Sequence, residues 1–206
     1  MAYDAGRATS ARSEASKRRV SLIAAQRVVA YGWDRLTVDE LAEVAGISRR
    51  TFFRYFRTLD EVLRPAFEVA TDLFIDSFEG WDGEDLVDRV QRALLAVTRD
   101  YPVGAHVLQG IERVAGREPG PHSSWLSAHL EAEHRLAEVL VRHRPEVGEQ
   151  DALLMATVVM GVRRTLASTL ASAGDRAAEV APDRARTMRR VLDGGLPHRR
   201  TGTLER

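Results

Sequence analysis

The sequence predicts an all-α protein of about nine helices, with a three-helix N-terminal head and a larger helical body. Two observations carry this prediction. Apolar residues recur at three- and four-residue spacing through most of the chain, which gives each segment one stripe to bury. Gly and Pro residues interrupt these segments at intervals that suit helices joined by short turns.

The composition fits a globular protein, since 44% of the 206 residues are hydrophobic. The chain contains no cysteine, which excludes disulfides and thiolate metal sites. The first residues are hydrophilic and lack the apolar segment of a signal peptide, and no apolar run of about 18 residues follows. We therefore expect a cytoplasmic protein without a membrane partner.

Charge is distributed unevenly along the chain, although the net charge is zero. Up to Arg64 there are 12 Lys and Arg against 8 Asp and Glu, a net charge of +4; the remainder has 18 against 22, a net charge of −4. A basic head on a mildly acidic body is typical of a polyanion-binding module joined to a domain with another task. Chance clustering of surface charge is the alternative.

The head begins with residues 1–15, which lack apolar periodicity and predict a mobile basic arm. A first helix is predicted over residues 16–31, and Gly32 ends it. Its apolar positions recur at helical spacing and form one buried stripe. These positions are Val20, Ile23, Ala24, Val28 and Tyr31.

Two short helices follow within the predicted head, residues 16–63. Thr37 can cap the first of them, and Glu40 three residues later can reach back, as a capping box requires. Gly46 can take the positive φ of a tight turn between helices, and Ser48 can cap the next helix. Two short helices joined in this way predict a helix-turn-helix, whose second helix enters the DNA major groove.

The second of these helices combines three arginines with four aromatic residues. Phe52 and Phe56 lie four residues apart, so we expect them to pack on Leu41, Val44 and the first helix. The arginines then remain on the outer side, where a guanidinium can bond guanine in pairs or neutralise phosphate. A helical hairpin with merely solvated arginines is the alternative.

Residues 36–63, "LTVDELAEVAGISRRTFFRYFRTLDEVL", resemble the signature of the TetR (tetracycline repressor-like) transcription regulators. The shared features are a threonine-capped helix, an A-G-(V/I)-S turn and an aromatic-rich recognition helix. The close resemblance covers roughly residues 17–63. It implies a homodimer that represses transcription from a palindromic operator and releases the DNA when a small molecule binds the C-terminal domain.

The resemblance also assigns roles within the head. It places Thr37, Thr51 and Tyr55 on phosphates, and Arg49 and Arg50 near base edges. The full set of candidate DNA-binding residues is Thr37, Ser48, Arg49, Arg50, Thr51, Phe53, Arg54 and Tyr55.

Two residues depart from the family pattern. Phe53 stands where the family commonly has a phosphate-binding tyrosine, and Leu59 stands where a lysine usually opens the fourth helix. Arg54 or Arg57 could compensate for these lost contacts.

The predicted body spans residues 64–196 and ends in a flexible tail, residues 197–206. Asp60 is expected to cap a long fourth helix, and "GREPGPHS" to form the clearest internal loop. Pro182 is expected to begin the last helix. The remaining predicted helices cover residues 84–100, 102–115, 123–143 and 149–173.

Residues 152–171 are apolar round most of a helix, which predicts burial on two sides. If the chain dimerises as the resemblance implies, this helix meets its copy, and residues 182–192 complete a four-helix interface. A central helix in a monomer is the alternative.

A ligand pocket between the body helices is a weaker prediction. Large apolar and aromatic side chains could line it, with a few polar groups to orient a hydrophobic effector. Ordinary core packing remains the alternative for each residue, and Arg163 could equally pair with an acid on a neighbouring helix. The candidates are Phe74, Phe78, Tyr101, His106, Trp125, His129, Met155, Val159 and Arg163.

The sequence offers no pattern for catalysis, a metal or a cofactor. His129 and His134 lie five residues apart, so a helix turns them about 140° away from each other. His129 and Glu133 share a face, which favours a surface hydrogen bond over a metal site. No phosphate loop or nucleophile motif appears. A helical protein-interaction module is therefore the main alternative to a DNA-binding regulator.

Overall fold

The computed structural model describes residues 2–80 and 86–173, together with Arg186 and Arg190. The described part is helical, as predicted, and contains eight α-helices with no strand. The predicted helix over residues 182–192 and the predicted tail lie outside the described residues, apart from those two arginines. The helices are α1 (Ala2–Tyr31), α2 (Val38–Ala45), α3 (Arg49–Tyr55), α4 (Arg64–Glu79), α5 (Leu86–Asp100), α6 (Ala105–Ala115), α7 (Pro119–His143) and α8 (Glu149–Ala173).

The first helix begins earlier than the sequence analysis expects. Because α1 starts at Ala2, it includes nearly all of the predicted arm. This segment contains no proline, and its alanines favour helix. The segment is also balanced in charge rather than basic, since it contains two arginines, Arg7 and Arg12, and two acids, Asp4 and Glu14.

The entry to the fourth helix also differs from the prediction. A 3-10 helix, Leu59–Leu63, comes first, and its N-cap position is Thr58. Asp60 therefore lies within that segment and does not cap α4. The α-helix begins at Arg64, and Pro65 occupies its first turn, where a missing N–H breaks no hydrogen bond.

The predicted internal loop is shorter than expected, because proline is also tolerated in the first turn of α7. The structure places Pro119 and Pro121 in the first turn of α7, so this helix starts inside the segment predicted to be a loop. By contrast, α8 has the predicted bounds, and α5 ends at the predicted residue.

The fourth helix forms the centre of the molecule. It contacts α1 of the head and also α5, α6 and α7 of the body. Its inward side chains are completely or almost completely buried. These are Phe67, Ala70, Phe74 and Phe78.

The backbone of Ala66 joins the head to the body. The Ala66 N–H donates to the Ser21 hydroxyl of α1 at 2.8 Å, and the Ala66 carbonyl accepts from the Tyr101 hydroxyl at 3.1 Å. Ala66 and Ser21 are fully buried, and Tyr101 is nearly so. The first four N–H groups of a helix have no partner within it, so Ser21 satisfies a group that would otherwise be buried and unpaired.

Another close approach fixes α6 against α1. Gly110 packs against Val29, and a Cβ at Gly110 would lie 2.3 Å from Val29 Cγ2. The Ser124 hydroxyl of α7 donates to the Asp60 carbonyl at 2.7 Å, which ties α7 to the 3-10 helix. The head is therefore attached to α4, α6 and α7 together.

We predict that Ser21→Ala lowers the free energy of unfolding by about 1–3 kcal/mol, because it leaves the buried Ala66 N–H without an acceptor. Urea unfolding measures the loss. The matched control is Ser123→Ala at an exposed position of α7. Equal stabilities of the two variants would contradict the assigned role of Ser21.

Candidate nucleic-acid interface

The second helix is capped as predicted. Thr37 accepts a hydrogen bond from the Glu40 N–H at 3.2 Å. The Glu40 carboxylate forms an ion pair with Arg27 at 3.4 Å, with no side-chain hydrogen bond back to Thr37. Only half of the predicted capping box therefore forms.

The turn between α2 and α3 depends on Gly46. This residue has φ 65° and ψ 37°, the left-handed region that favours glycine. Its N–H donates to the carbonyls of Ala42 and Glu43, and the Ile47 N–H donates to Ala42 at 2.9 Å. These bonds satisfy the end of α2 and redirect the chain into the next helix.

The third helix starts at a cap of its own. Ser48 accepts a hydrogen bond from the Thr51 N–H at 3.0 Å, and the two hydroxyls lie 2.9 Å apart. Phe52 and Phe56 are buried with ring centroids 5.1 Å apart. Val44 is largely exposed, so its predicted packing in this core is wrong. The helix-turn-helix nevertheless has the predicted buried anchors.

The outer face of α3 carries the arginines. Arg49, Arg50 and Arg54 are exposed, and so is Phe53. Arg49 Nη1 bonds both carboxylate oxygens of Asp39, at 2.7 and 2.9 Å, and its guanidinium lies 5.6 Å from the Phe53 ring centroid. Arg50 has no hydrogen-bond or ion-pair partner among the described residues. One arginine is therefore held in position and another is free to meet a ligand.

The remaining candidates border this face. Thr37 and Ser48 are exposed, whereas Thr51 and Tyr55 are half-buried. Hydrogen bonds from Arg54 and then from Ser16 of α1 lower the pKa of Tyr55. The Tyr55 hydroxyl therefore lies where α1 and α3 meet, at the edge of the arginine face.

Support for this face comes from α1. Arg19 donates a hydrogen bond to the Ala45 carbonyl at 2.8 Å, at the C-terminal end of α2. Of the two family departures, Phe53 lies in the exposed face, while Leu59 is half-buried at the start of the 3-10 helix.

The predicted pocket residues divide into two groups. Most lie in the core of the body: Phe74, Phe78, Tyr101, His129, Val159 and Arg163 are buried, and Trp125 and Met155 are half-buried. His106 is exposed at the start of α6 and is not brought to the core. His129 is buried, so the expected surface hydrogen bond is wrong.

Sequence reasoning missed Glu112, a buried acid of α6. A signal for it existed, because Glu112 follows Leu108 by four residues and precedes Ala115 by three, within the apolar stripe of the helix. An acidic residue at helical spacing from buried apolar residues on both sides predicts a buried carboxyl.

Comparison with known proteins agrees with this geometry. The family described as bacterial regulatory proteins, tetR family, matches residues 22–65, which include α2, α3 and the 3-10 helix. The HTH-type transcriptional regulator TcmR of Streptomyces glaucescens is 28% identical over 119 residues, which are 54% of this chain and 53% of TcmR. Both matches support a TetR-family protein, the first over the head and the second over about half of the chain.

Two solved structures share the fold. Salmonella enterica GusR superposes with a TM-score of 0.57 at 18% identity, over 88% of this chain and 95% of GusR. The fatty acid degradation regulator FadR of Bacillus halodurans gives a TM-score of 0.58 at 16% identity, over 89% and 97%. The shared fold therefore includes the body as well as the head. By contrast, the match to TcmR spans about half of that protein's length.

No described helix has the length and apolarity needed to cross a bilayer. Within the same residues, no three His, Asp or Glu side chains are grouped as metal ligands.

We predict that Gly46→Ala costs about 1–2 kcal/mol of stability, because an alanine is strained in the left-handed region even though its Cβ meets no atom. Thermal unfolding measures the cost. The control is Gly116→Ala, since Gly116 has φ −71° in ordinary helical space. A Gly46 variant as stable as this control would show that the turn tolerates a side chain.

Proposed function

We propose that this TetR-family protein is a transcription regulator that represses by binding a palindromic operator in the cytoplasm as a homodimer. The observation that carries the proposal is the exposed outer face of α3, where three arginines stand over a buried aromatic core. Such a face suits the major groove, because arginine bonds guanine O6 and N7 in pairs.

The contacts within the head support distinct roles for its arginines. Arg50 is free to bond a base edge, and Asp39 together with the Phe53 ring orients Arg49. Thr37, Thr51 and Tyr55 lie around them and offer hydroxyls to phosphates. Arg54, which is exposed beside Tyr55, would supply the phosphate charge that a phenylalanine at position 53 cannot.

The surface of α8 supports a homodimer. Leu154 is 66% exposed and Val158 is 49% exposed, and their spacing of four residues places them on one face. Such a face is uncommon on a monomer and favours a second copy of this helix as its cover. Two heads held this way would read half-sites about 34–36 Å apart or a multiple of that spacing.

The position of α4 supports control by a small molecule. One end of this helix joins the head through Ala66, and the other contributes Phe74 and Phe78 to the core of the body. A hydrophobic effector bound in that core would shift α4 and change the separation of the two heads. The coupling between effector and DNA would be about 1–3 kcal/mol, with each weakening the other by the same factor.

A gel-shift assay with the DNA fragment upstream of the gene tests the proposal. Arg50→Ala should weaken operator binding by about 1–3 kcal/mol and binding to random DNA by less, because a base contact is lost. The control Tyr55→Phe should weaken both DNAs alike. Equal losses on both DNAs for Arg50→Ala would reassign this residue to phosphate, and no shift of the fragment would contradict operator binding there.

Analytical ultracentrifugation tests the assembly. We expect a dimer for the wild type at micromolar concentration and a monomer for the double variant Leu154→Glu, Val158→Glu, because two charges replace apolar contact. Leu95→Glu is the control, since Leu95 is 67% exposed on α5 and away from this face. A wild-type monomer would contradict the two-half-site model.

A further inference from the structure

The core of the body contains an arginine cation. Arg163 of α8 is 2% exposed. Its guanidinium lies 5.4 Å from the Phe74 ring centroid, and Phe74 in turn stacks with Phe78. Burial lowers the pKa of Arg163 to about 10, so the group is still charged at neutral pH. A buried cation is costly unless an anion or a full set of acceptors compensates it.

The direct partner of this cation is neutral. Arg163 Nη1 donates to His129 Nε2, and the other ring nitrogen of His129 lies 2.8 Å from the Trp125 carbonyl. This network places the proton on Nδ1 and leaves Nε2 as an acceptor. Burial, followed by the nearby Arg163 charge, lowers the pKa of His129 to about 3. The contact therefore supplies no negative charge.

The neighbouring acids compensate Arg163 only in part. Glu112 of α6 lies close to Arg163 without an ion pair among the described residues, and burial raises the pKa of Glu112 to about 7. Glu133 of α7 is engaged by Arg164 and by the Thr157 hydroxyl. Tyr101, another titratable group close to Glu112, stays protonated because burial raises its pKa. The cluster thus has a surplus of positive charge.

Two buried donors in this cluster have no acceptor within the part of the chain that the structure describes. These are the Arg163 Nε–H and the Trp125 indole N–H. The two residues are connected through His129, whose ring centroid lies 4.4 Å from that of Trp125. Most buried polar groups are hydrogen-bonded. An unpaired N–H on the buried guanidinium and an unpaired indole N–H in the same cluster therefore indicate a missing acceptor.

We infer that the effector of this regulator is an amphipathic carboxylate, whose head binds Arg163 and Trp125 while its apolar part packs on Phe74 and Phe78. The inference rests on the proposed function, because it names the chemical class of the proposed effector. A planar guanidinium is suited to a carboxylate, and the charge of such a ligand would compensate the buried cation. A neutral apolar effector, or buried waters alone, are the competing occupants.

Matched probes separate these occupants. The panel consists of straight-chain alkanoates from hexanoate to hexadecanoate and of naphthoate, each paired with the primary alcohol of the same carbon skeleton. Thermal shift and isothermal calorimetry measure their binding to the full-length protein, without DNA. We expect at least one carboxylate to bind and to raise Tm, and its alcohol to bind on the order of a hundredfold more weakly.

Four variants test the residues. Arg163→Met should reduce carboxylate affinity on the order of a hundredfold, and Arg163→Lys should restore part of it. Trp125→Phe, which keeps an aromatic ring, should cost about tenfold or more. Glu112→Gln should strengthen binding, because it removes a competing negative charge. The control is Arg142→Met on the surface of α7, with unchanged binding.

Without a probe, Arg163→Met should change stability little, because removing an uncompensated buried charge offsets the loss of the hydrogen bond to His129 Nε2. If this variant does not fold, Trp125→Phe and Glu112→Gln decide the question. The proposal is wrong if no carboxylate binds the wild type, if alcohols bind as well as carboxylates, or if Arg163→Met retains full affinity. DNA binding is measured separately, so its absence would end the proposed function while carboxylate binding could still be observed.

Discussion

The architecture depends on two hydrogen bonds made by the backbone N–H and carbonyl of Ala66. One is accepted by Ser21 of the head, and the other is donated by Tyr101 of the body. Both are ordinary hydrogen bonds, but the Ala66 N–H and the Tyr101 hydroxyl are groups that water does not reach, so leaving either one without its acceptor costs the desolvation of that group. The start of α4 is therefore fixed both to α1 and to Tyr101, the residue that follows α5, and the position of α3 follows from that attachment of the head.

The core of the body has a different physical character. A domain selected for stability alone would fill this position with an apolar side chain, since replacing buried charge by well-packed apolar groups is often neutral or stabilising. The chain instead buries Arg163 and Glu112 close together without a direct ion pair, and leaves an indole N–H unsatisfied. Strained or under-satisfied groups of this kind are concentrated at functional sites.

The sequence predicted correctly those features that depend on neighbouring residues alone, such as helix caps and tight turns. The Thr37 and Ser48 caps and the Gly46 turn depend on a few adjacent residues, and all three form as expected. The missed features depend on distant partners. Val44 has the apolarity of a core residue, yet no helix of the described part covers it, and the charge of Glu112 conceals its place in an apolar stripe. The burial that keeps His129 neutral depends on packing between helices, and its Nε2 partner Arg163 lies on another helix.

Helix α4 also explains how charge in the body could act on the head. Phe74, under the guanidinium, lies roughly two turns from Ala66, a separation of about 12 Å along a helix that is rigid over this length. The head is also held by α6 through Gly110 and by α7 through Ser124, so moving α4 alone works against contacts that stay in place. A ligand that draws Arg163 away from Phe74 would therefore tilt the head, because α4 carries both Phe74, which contacts Arg163, and Ala66, which bonds Ser21 of the head. Linkage then requires bound DNA to oppose that movement by the same free energy.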